Sequence, residues 1–347
     1  LHPSTDPSNG FGERLPLSWG GELSVPAQVQ AWYWLCPSAD LAPGKVLSRD
    51  FLGQPIVLFR GQDGTPRALS AYCWHMGTHL GGGTVVGDGI RCPLHHWEFG
   101  GDGACRRIPG AANPPPHARQ RSYPVAERYG SLFIFNGPAA LFPPPLFSMT
   151  EESSLRVGFG KPVRMRCPWY AVAANAFDRK HLETVHERAL REPPTTEHLD
   201  PFRFQLRYLS RVVGSAPADR TMRWLSRDHI RVTITNWGGS IVTIESDLGR
   251  AKSSLLVSLM PVEGGTEVSL LFGVPRTPLS AADALRLRVS GWLFTKFLQK
   301  DIEVLNGMRF TPRLPMPDDE PMGHFLQFLH HLPAADTAWE PVSVKVG

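Results

Sequence analysis

The feature that most constrains this chain is Cys73-Trp74-His75, then sixteen residues, then Cys92-Pro93-Leu94-His95. Two thiolates and two imidazoles arrive in two close, mixed pairs. That donor set suits a [2Fe–2S] cluster in which both sulfurs hold one iron and both nitrogens hold the other. Neutral imidazoles lower the negative charge at such a cluster, favour its reduced form and raise its potential. Cys2His2 also fits tetrahedral zinc, but zinc motifs usually pair cysteine with cysteine and histidine with histidine. Gly77, Gly81, Gly82 and Gly83 follow the first pair, Pro93 lies inside the second, and Gly100, Gly101 and Gly103 come after it. Loop tips of this composition let backbone N–H groups turn toward a buried anion. The pattern predicts a protein that holds an electron at moderate potential and passes it on.

With 347 residues the chain has room for one large or two ordinary domains. Its formal charge of +4 is too small to indicate nucleic acid, and no long basic run interleaves with aromatics. Arg91, Arg106, Arg107, Arg119 and Arg121 fall near the cluster segment, either as a positive rim for an acidic electron donor or as solvated surface. Of five cysteines, Cys36, Cys105 and Cys167 lie outside the cluster pattern and show no disulfide framework. A reducing, cytoplasmic setting is therefore expected. No apolar run approaches the ~20 residues of a spanning helix, and the N-terminus lacks a basic-then-apolar signal pattern. Leu1 to Arg14 reads as a polar tail.

From about Trp32 to Phe135, short strand-like runs alternate with Gly, Pro and Asp turns, among them Lys45–Leu47, Pro55–Phe59, Arg67–Leu69 and Ser131–Phe135. A proline-rich boundary follows at Pro138 and Pro143 to Pro145. Pro168 to Arg191 has a helical pattern, followed by strand candidates at Phe202–Val213, Ile230–Asn236, Ser240–Ser246, Ser254–Met260 and Glu267–Gly273. A long helix is expected from Ala281 to about Asn306. The predicted class is α+β: a small β domain bearing the cluster loops, and a domain with a large antiparallel sheet flanked by helices. The expected division is a lead-in over 1–31, a cluster domain over 32–140 and a second domain over 141–347.

The helical stretch carries a second constellation, Asn175-x2-Asp178-x2-His181-x4-His186. Asp178 and His181 are three residues apart and share a helix face. His186 is five from His181, so a local irregularity is needed for the two rings to converge. Two histidines can equally be ordinary surface or core residues, and Asp178 a solvated helix charge. With one carboxylate, however, two histidines make a facial triad that leaves half of an iron octahedron open for O2 beside a substrate. Asp301 and Glu303 compete for that role. Around Asp301 stand Phe294, Phe297, Leu298, Val304 and Leu305, an apolar face where an unpaired charge is costly. Around Glu303 stand Gln299, Lys300, Asn306 and Gly307, a wet face. Asp301 is the expected ligand, with a buried Asp paired to an Arg as the alternative.

Together these motifs closely resemble the Rieske non-haem iron oxygenases, specifically their catalytic α-subunit, over most of the chain from Trp32-Tyr33-Trp34 to the Met308 region. The resemblance implies a cluster on Cys73, His75, Cys92 and His95, and mononuclear Fe(II) on His181, His186 and Asp301. It implies a head-to-tail homotrimer in which Asp178 bridges His181 to the cluster ligand matching His95 in the next subunit. It also implies O2-dependent oxygenation of a hydrophobic cyclic small molecule. Electrons would come from NAD(P)H through a separate reductase and, in some systems, a ferredoxin; no strand–GxGxxG–helix unit occurs here. Arylamine N-oxygenation, demethylation and desaturation use the same metal set; His95-His96-Trp97 with Asn306-Gly307-Met308 resemble the N-oxygenating branch and equally a broader set of α-only members acting on sterols, alkaloids and other hydrophobic polycycles. His96 stands where many members carry Gly, and reads as a surface or interface group. His79 reads as loop packing, and Asn175 as a polar neighbour of the iron. Phe177, Phe202, Trp237, Phe272 and Phe294 are equally candidates for core and for pocket. A pure electron carrier is the alternative of a different class, against which the roughly 200 residues after the cluster domain argue.

Overall fold

The computed structural model describes residues 25–226, 229–313 and 316–335. Residues Trp32 to Phe135 build three small antiparallel sheets. In one of them, the strand Gln54–Arg60 lies between Val46–Phe51 and Pro66–Ser70. Its side chains alternate between two cores, as a pleated strand requires. Ile56 and Leu58 enter the main core, while Val57 and Phe59 enter a second core with Leu69, Ile90, Phe99 and the two motif cysteines. The cluster loops thus rest on a hydrophobic floor of their own.

The rest of the chain is organised by a nine-stranded antiparallel sheet, joined in sequence largely by hairpins. Five helices accompany it among the described residues: α1 (Trp169–Asn175), α2 (Arg179–Thr184), α3 (Pro217–Ser226), α4 (Ser280–Leu305) and α5 (Glu320–His330). The five expected strands are all present, observed at 203–212, 230–237, 241–247, 252–262 and 265–275, and the long helix spans 280–305. Gly291 lets α4 lie on the sheet, because a Cβ there would stand 2.7 Å from the Phe272 ring.

The helical pattern expected through Arg191 is cut short. α2 ends at Thr184, and Arg188–Leu190 becomes a strand paired with Ser210–Val212. Sheet pairing there outweighs local propensity, and Glu187 makes the turn at a positive φ of 52°. Val304, expected on the apolar face of α4, is 48% exposed.

The sheet and the small sheets are tied directly. The Ser240 hydroxyl donates to the Trp32 carbonyl at 2.6 Å, and the Trp34 amide donates to Ser258 Oγ at 3.2 Å. The hairpin between Trp237 and Ile241 needs glycine twice, with φ of 57° at Gly238 and 86° at Gly239. A Cβ at Gly239 would lie 2.8 Å from the Trp169 ring. Residues 28–30 form an antiparallel bridge with 333–335, closed by Gln30 N–H to Pro333 O and Ala335 N–H to Gln28 O, both 2.9 Å. No described helix is long and apolar enough to cross a membrane.

Candidate metal centres

The two motif loops share one backbone plan. Cys73 N–H donates to Thr78 O and Gly77 N–H to Cys73 O, both at 2.8 Å. In the second loop Cys92 N–H donates to Trp97 O at 2.8 Å and His96 N–H to Cys92 O at 3.2 Å. Gly77 (φ 72°) and His96 (φ 57°) are therefore equivalent left-handed positions, one filled by the residue that takes this conformation freely and the other by histidine. Cys73 and Cys92 are buried side by side, 3% and 2% exposed. Burial pushes the Cys73 thiol up to about 11, against the pull of the His75 amide that points at its sulfur. The imidazoles lie outside: His75 and His95 are exposed, with ring centroids 4.9 Å apart. Sulfurs inside and nitrogens outside is the arrangement a cluster with unlike irons needs. His75 also lies flat on Trp97, 4.2 Å between centroids and 9° from parallel.

Gln120 was not legible as a site residue. Its buried amide accepts from Trp74 N–H at 2.7 Å and donates to the Ser70 and Tyr72 carbonyls, clamping the first loop from 46 residues away. His79 packs as expected, its Nδ1 accepting from Gly81 N–H while its ring meets Tyr72 edge-on. The arginine rim is largely neutralised: Arg91 and Arg107 pair with Glu98, and Arg106 with Asp88.

The second constellation also comes together. Asp178 caps α2, its Oδ1 accepting from the His181 amide at 2.9 Å. It fixes His181 through the backbone rather than the ring. At the far end of α2, Val185 N–H and His186 N–H both reach the His181 carbonyl, at 2.9 and 3.4 Å. This widened last turn is the irregularity that five-residue spacing requires. His181 Nε2 and His186 Nε2 stand 3.0 Å apart, and each is 2.8 Å from Asp301 Oδ1. Ligand atoms at right angles around a metal ~2.1 Å away are themselves about 3.0 Å apart. The three atoms already have that spacing. Glu303 is exposed and takes no part.

Asn175 Nδ2 donates to Asp301 Oδ1 at 3.2 Å and lies 3.0 Å from His181 Nε2. Burial holds His186 below the ordinary histidine range, in the neutral form a metal requires. Burial pushes Asp301 up, but its hydrogen bonds with His181 and His186 prevail and keep it a carboxylate below its usual range. Phe297, one turn before Asp301 on α4, lies face to face with His186 at 3.4 Å and 3°. His186 Nδ1 is buried without a partner among the described residues, where a ligating imidazole usually has one.

These residues border a cavity of about 850 Å³ between α3, α4 and one face of the sheet. Antiparallel register sets its floor in rows, such as Tyr208, Val232, Ser246 and Ser253 across four strands. Of the five candidate aromatics only Phe294 lines it. Phe177 and Trp237 are buried in the core, Phe202 stacks on Phe142, and Phe272 packs against α4.

Residues 31–124 match the Rieske [2Fe-2S] domain. The chain is 43% identical over 168 residues, 46% of its length, to a probable 3-ketosteroid-9-alpha-monooxygenase oxygenase component of Rhodococcus rhodochrous, covering 41% of that protein. It is 33% identical over 188 residues, 53% of its length, to the cholesterol 7-desaturase of Bombyx mori, covering 39% of it. The chain thus spans about two fifths of the length of these relatives. Its fold is similar to that of dicamba monooxygenase bound to dicamba, with a TM-score of 0.64 at 21% identity, covering 88% of this chain and 98% of the other. The chain thus carries a Rieske [2Fe-2S] domain, is homologous over part of its length to a monooxygenase oxygenase component and a sterol desaturase, and shares its fold with dicamba monooxygenase.

Proposed function

We propose that the chain is an oxygenase component acting on a hydrophobic cyclic small molecule. Cys73, His75, Cys92 and His95 hold its [2Fe–2S] cluster, and His181, His186 and Asp301 its mononuclear iron. The observation that carries this reading is the convergence of three ligand atoms within 3.0 Å of one another on the wall of a large, mostly apolar cavity. A pure electron carrier needs neither. When bound, the cluster supplies single electrons and the iron supplies oxygen chemistry.

The chain's own residues do the rest. Asp178 holds the His181 backbone, Asn175 holds the Asp301 carboxylate, and Phe297 covers the His186 ring. The floor and α4 exclude water and present an apolar molecule to the triad. NAD(P)H-derived electrons enter through a separate reductase, with or without a ferredoxin, and a head-to-tail homotrimer is the assembly we favour. Exposed His75 and His95, and an Asp178 only half-buried on its own subunit, support that reading. In it, Asp178 stands between His181 and His95 of the partner subunit. The division near residue 140 is supported by sheets that share no strand across it.

The named substrates of the similar proteins, a ketosteroid, cholesterol and dicamba, are all cyclic. Ring oxygenation is the primary reading, and the similarity to cholesterol 7-desaturase favours desaturation as the second. The test is turnover of the iron-loaded full chain with a surrogate reductase, isotopically heavy dioxygen and a panel of sterols, alkaloids and arylamines. Heavy oxygen in a cyclic product supports oxygenation. Product lacking it but short of two hydrogens supports desaturation. No product together with a normally reducible cluster sinks the proposal.

A further inference from the structure

The cavity wall carries a polar patch that the metal chemistry does not use. Arg188 pairs with Val212 and Leu190 with Ser210 across adjacent strands, so Arg188 and Ser210 project from the same face. Ser210 in turn pairs with Ile230 and Tyr208 with Val232, both cavity-lining, so the Ser210 and Tyr208 side chains lie on the cavity side of the sheet. Arg188 and Asp219 of α3 line the same cavity and form a buried ion pair at 3.2 Å, with side chains 7% and 6% exposed. Ser210 is 1% exposed, and its hydroxyl has no hydrogen-bond partner among the described residues. A buried hydroxyl left unpaired costs stability, and a ligand oxygen reaching it from the cavity would satisfy it.

Resting on the oxygenase reading, we propose that Ser210 and Tyr208, beside the Arg188–Asp219 pair, recognise a neutral oxygen on the substrate's apolar polycyclic skeleton. The patch offers donors from Ser210 and Tyr208, and one acceptor, Asp219 Oδ2, that is likewise buried without a partner among the described residues. Ser210 has a free hydroxyl, and burial, against the opposing pull of Arg188, pushes the Tyr208 phenol up to about 12, so it keeps its proton. Asp219 cancels the charge of Arg188, so the site does not call for an anion. What fits is an acceptor oxygen, a ketone or a hydroxyl, with the rest of the molecule on the apolar floor. Arg188, Tyr208 and Ser210 line the same cavity as His181, His186 and Asp301, so a molecule anchored here shares that cavity with the triad. The anchor then selects which ring carbon faces the metal ligands, making Ser210 and Tyr208 specificity-determining positions.

The test is equilibrium dialysis of the metal-loaded full chain against an androstane hydrocarbon, its monoketone, its monoalcohol and its monocarboxylate. Ketone and alcohol are expected to bind about tenfold tighter than hydrocarbon, and the carboxylate no better than hydrocarbon. Ser210→Ala and Tyr208→Phe should each reduce ketone and alcohol binding about three- to tenfold while leaving the hydrocarbon unchanged. Ser210→Ala should also leave the ligand-free thermal midpoint equal or higher, because the hydroxyl it removes is unpaired, and this separates recognition from misfolding. Equal binding of hydrocarbon and ketone by the parent protein overturns the inference, as does a Ser210→Ala loss that is the same for all four ligands. The readout is binding, so an inactive protein that still discriminates would retire the oxygenase reading and keep the anchor.

Discussion

Phe297 offers a sharp test of how the triad is held. Its ring lies 3.4 Å from that of His186 and 3° from parallel, so truncation to alanine removes a full face-to-face contact. Aromatic stacking of this kind contributes about 0.5–1.5 kcal/mol beyond simple burial, which corresponds to roughly two- to tenfold in metal affinity. A second loss adds to it. His186 is held below the ordinary histidine range mainly by burial, and Phe297 also lines the cavity. Opening that face to water returns the imidazole toward its usual value of about 6.5, so protons compete with metal more strongly as pH falls through that value. Phe297→Ala should therefore bind Fe(II) several-fold more weakly near pH ~8 and weaker still near pH ~6, while Phe297→Leu, which keeps the site dry, should show only the first loss. Anaerobic competition against a chromophoric chelator, with the cluster retained, measures both. Parent-like affinity at each pH, or a loss that grows toward alkaline pH, would refute the reasoning.

Two further outcomes follow from the packing. Arg60 and, secondarily, Ser38 hold the Glu127 carboxylate below its ordinary range despite some burial. Its stabilising contribution is therefore complete above the unfolded value of about 4.3 and is lost as pH falls through the lower folded value. Urea midpoints of Glu127→Gln should fall less steeply than the parent's between pH ~5 and ~3, and parallel curves would rule this out. Gly239→Ala combines a φ of 86° with a Cβ 2.8 Å from the Trp169 ring. Strain and overpacking together predict a loss of about 2–5 kcal/mol in denaturant unfolding, and a change under 1 kcal/mol would contradict the stated contacts.

What the sequence disclosed was whatever repeats with a period or sits at fixed spacing. Asp301 was legible because 3.6-residue periodicity surrounds it with Phe294, Phe297 and Leu298, and the sheet strands because their apolar residues form strand-length runs between turns. The two Cys–His pairs were legible because both loops are short. Gln120, Phe297 facing His186, and the Arg188–Asp219 pair were hidden, since each joins segments far apart in the chain and leaves no local pattern. α5 was not read from the sequence, although Glu320, His324 and Gln327 mark a polar face at helical spacing and Pro321 stands in the first turn, where proline is tolerated. The widened turn at His186 could be demanded from spacing, but its end at Thr184 was decided by pairing with a strand twenty residues later.

The bridge between residues 28–30 and 333–335 has a kinetic consequence. Gln30 and Ala334 are 304 residues apart in sequence. Contacts of that separation gather late, after the sheets they close over, because the intervening chain must first be drawn in. The bridge is antiparallel, so Gln28 lies opposite Ala335 and Gln30 opposite Pro333. The closure is therefore expected to act as a latch, late to form and early to open, beside the Gly238–Gly239 hairpin that packs on Ala31 and Leu332. Amide exchange at Gln30 and Ala335 should run ahead of exchange in the strands beneath, reporting the opening of the latch while the sheet stays intact.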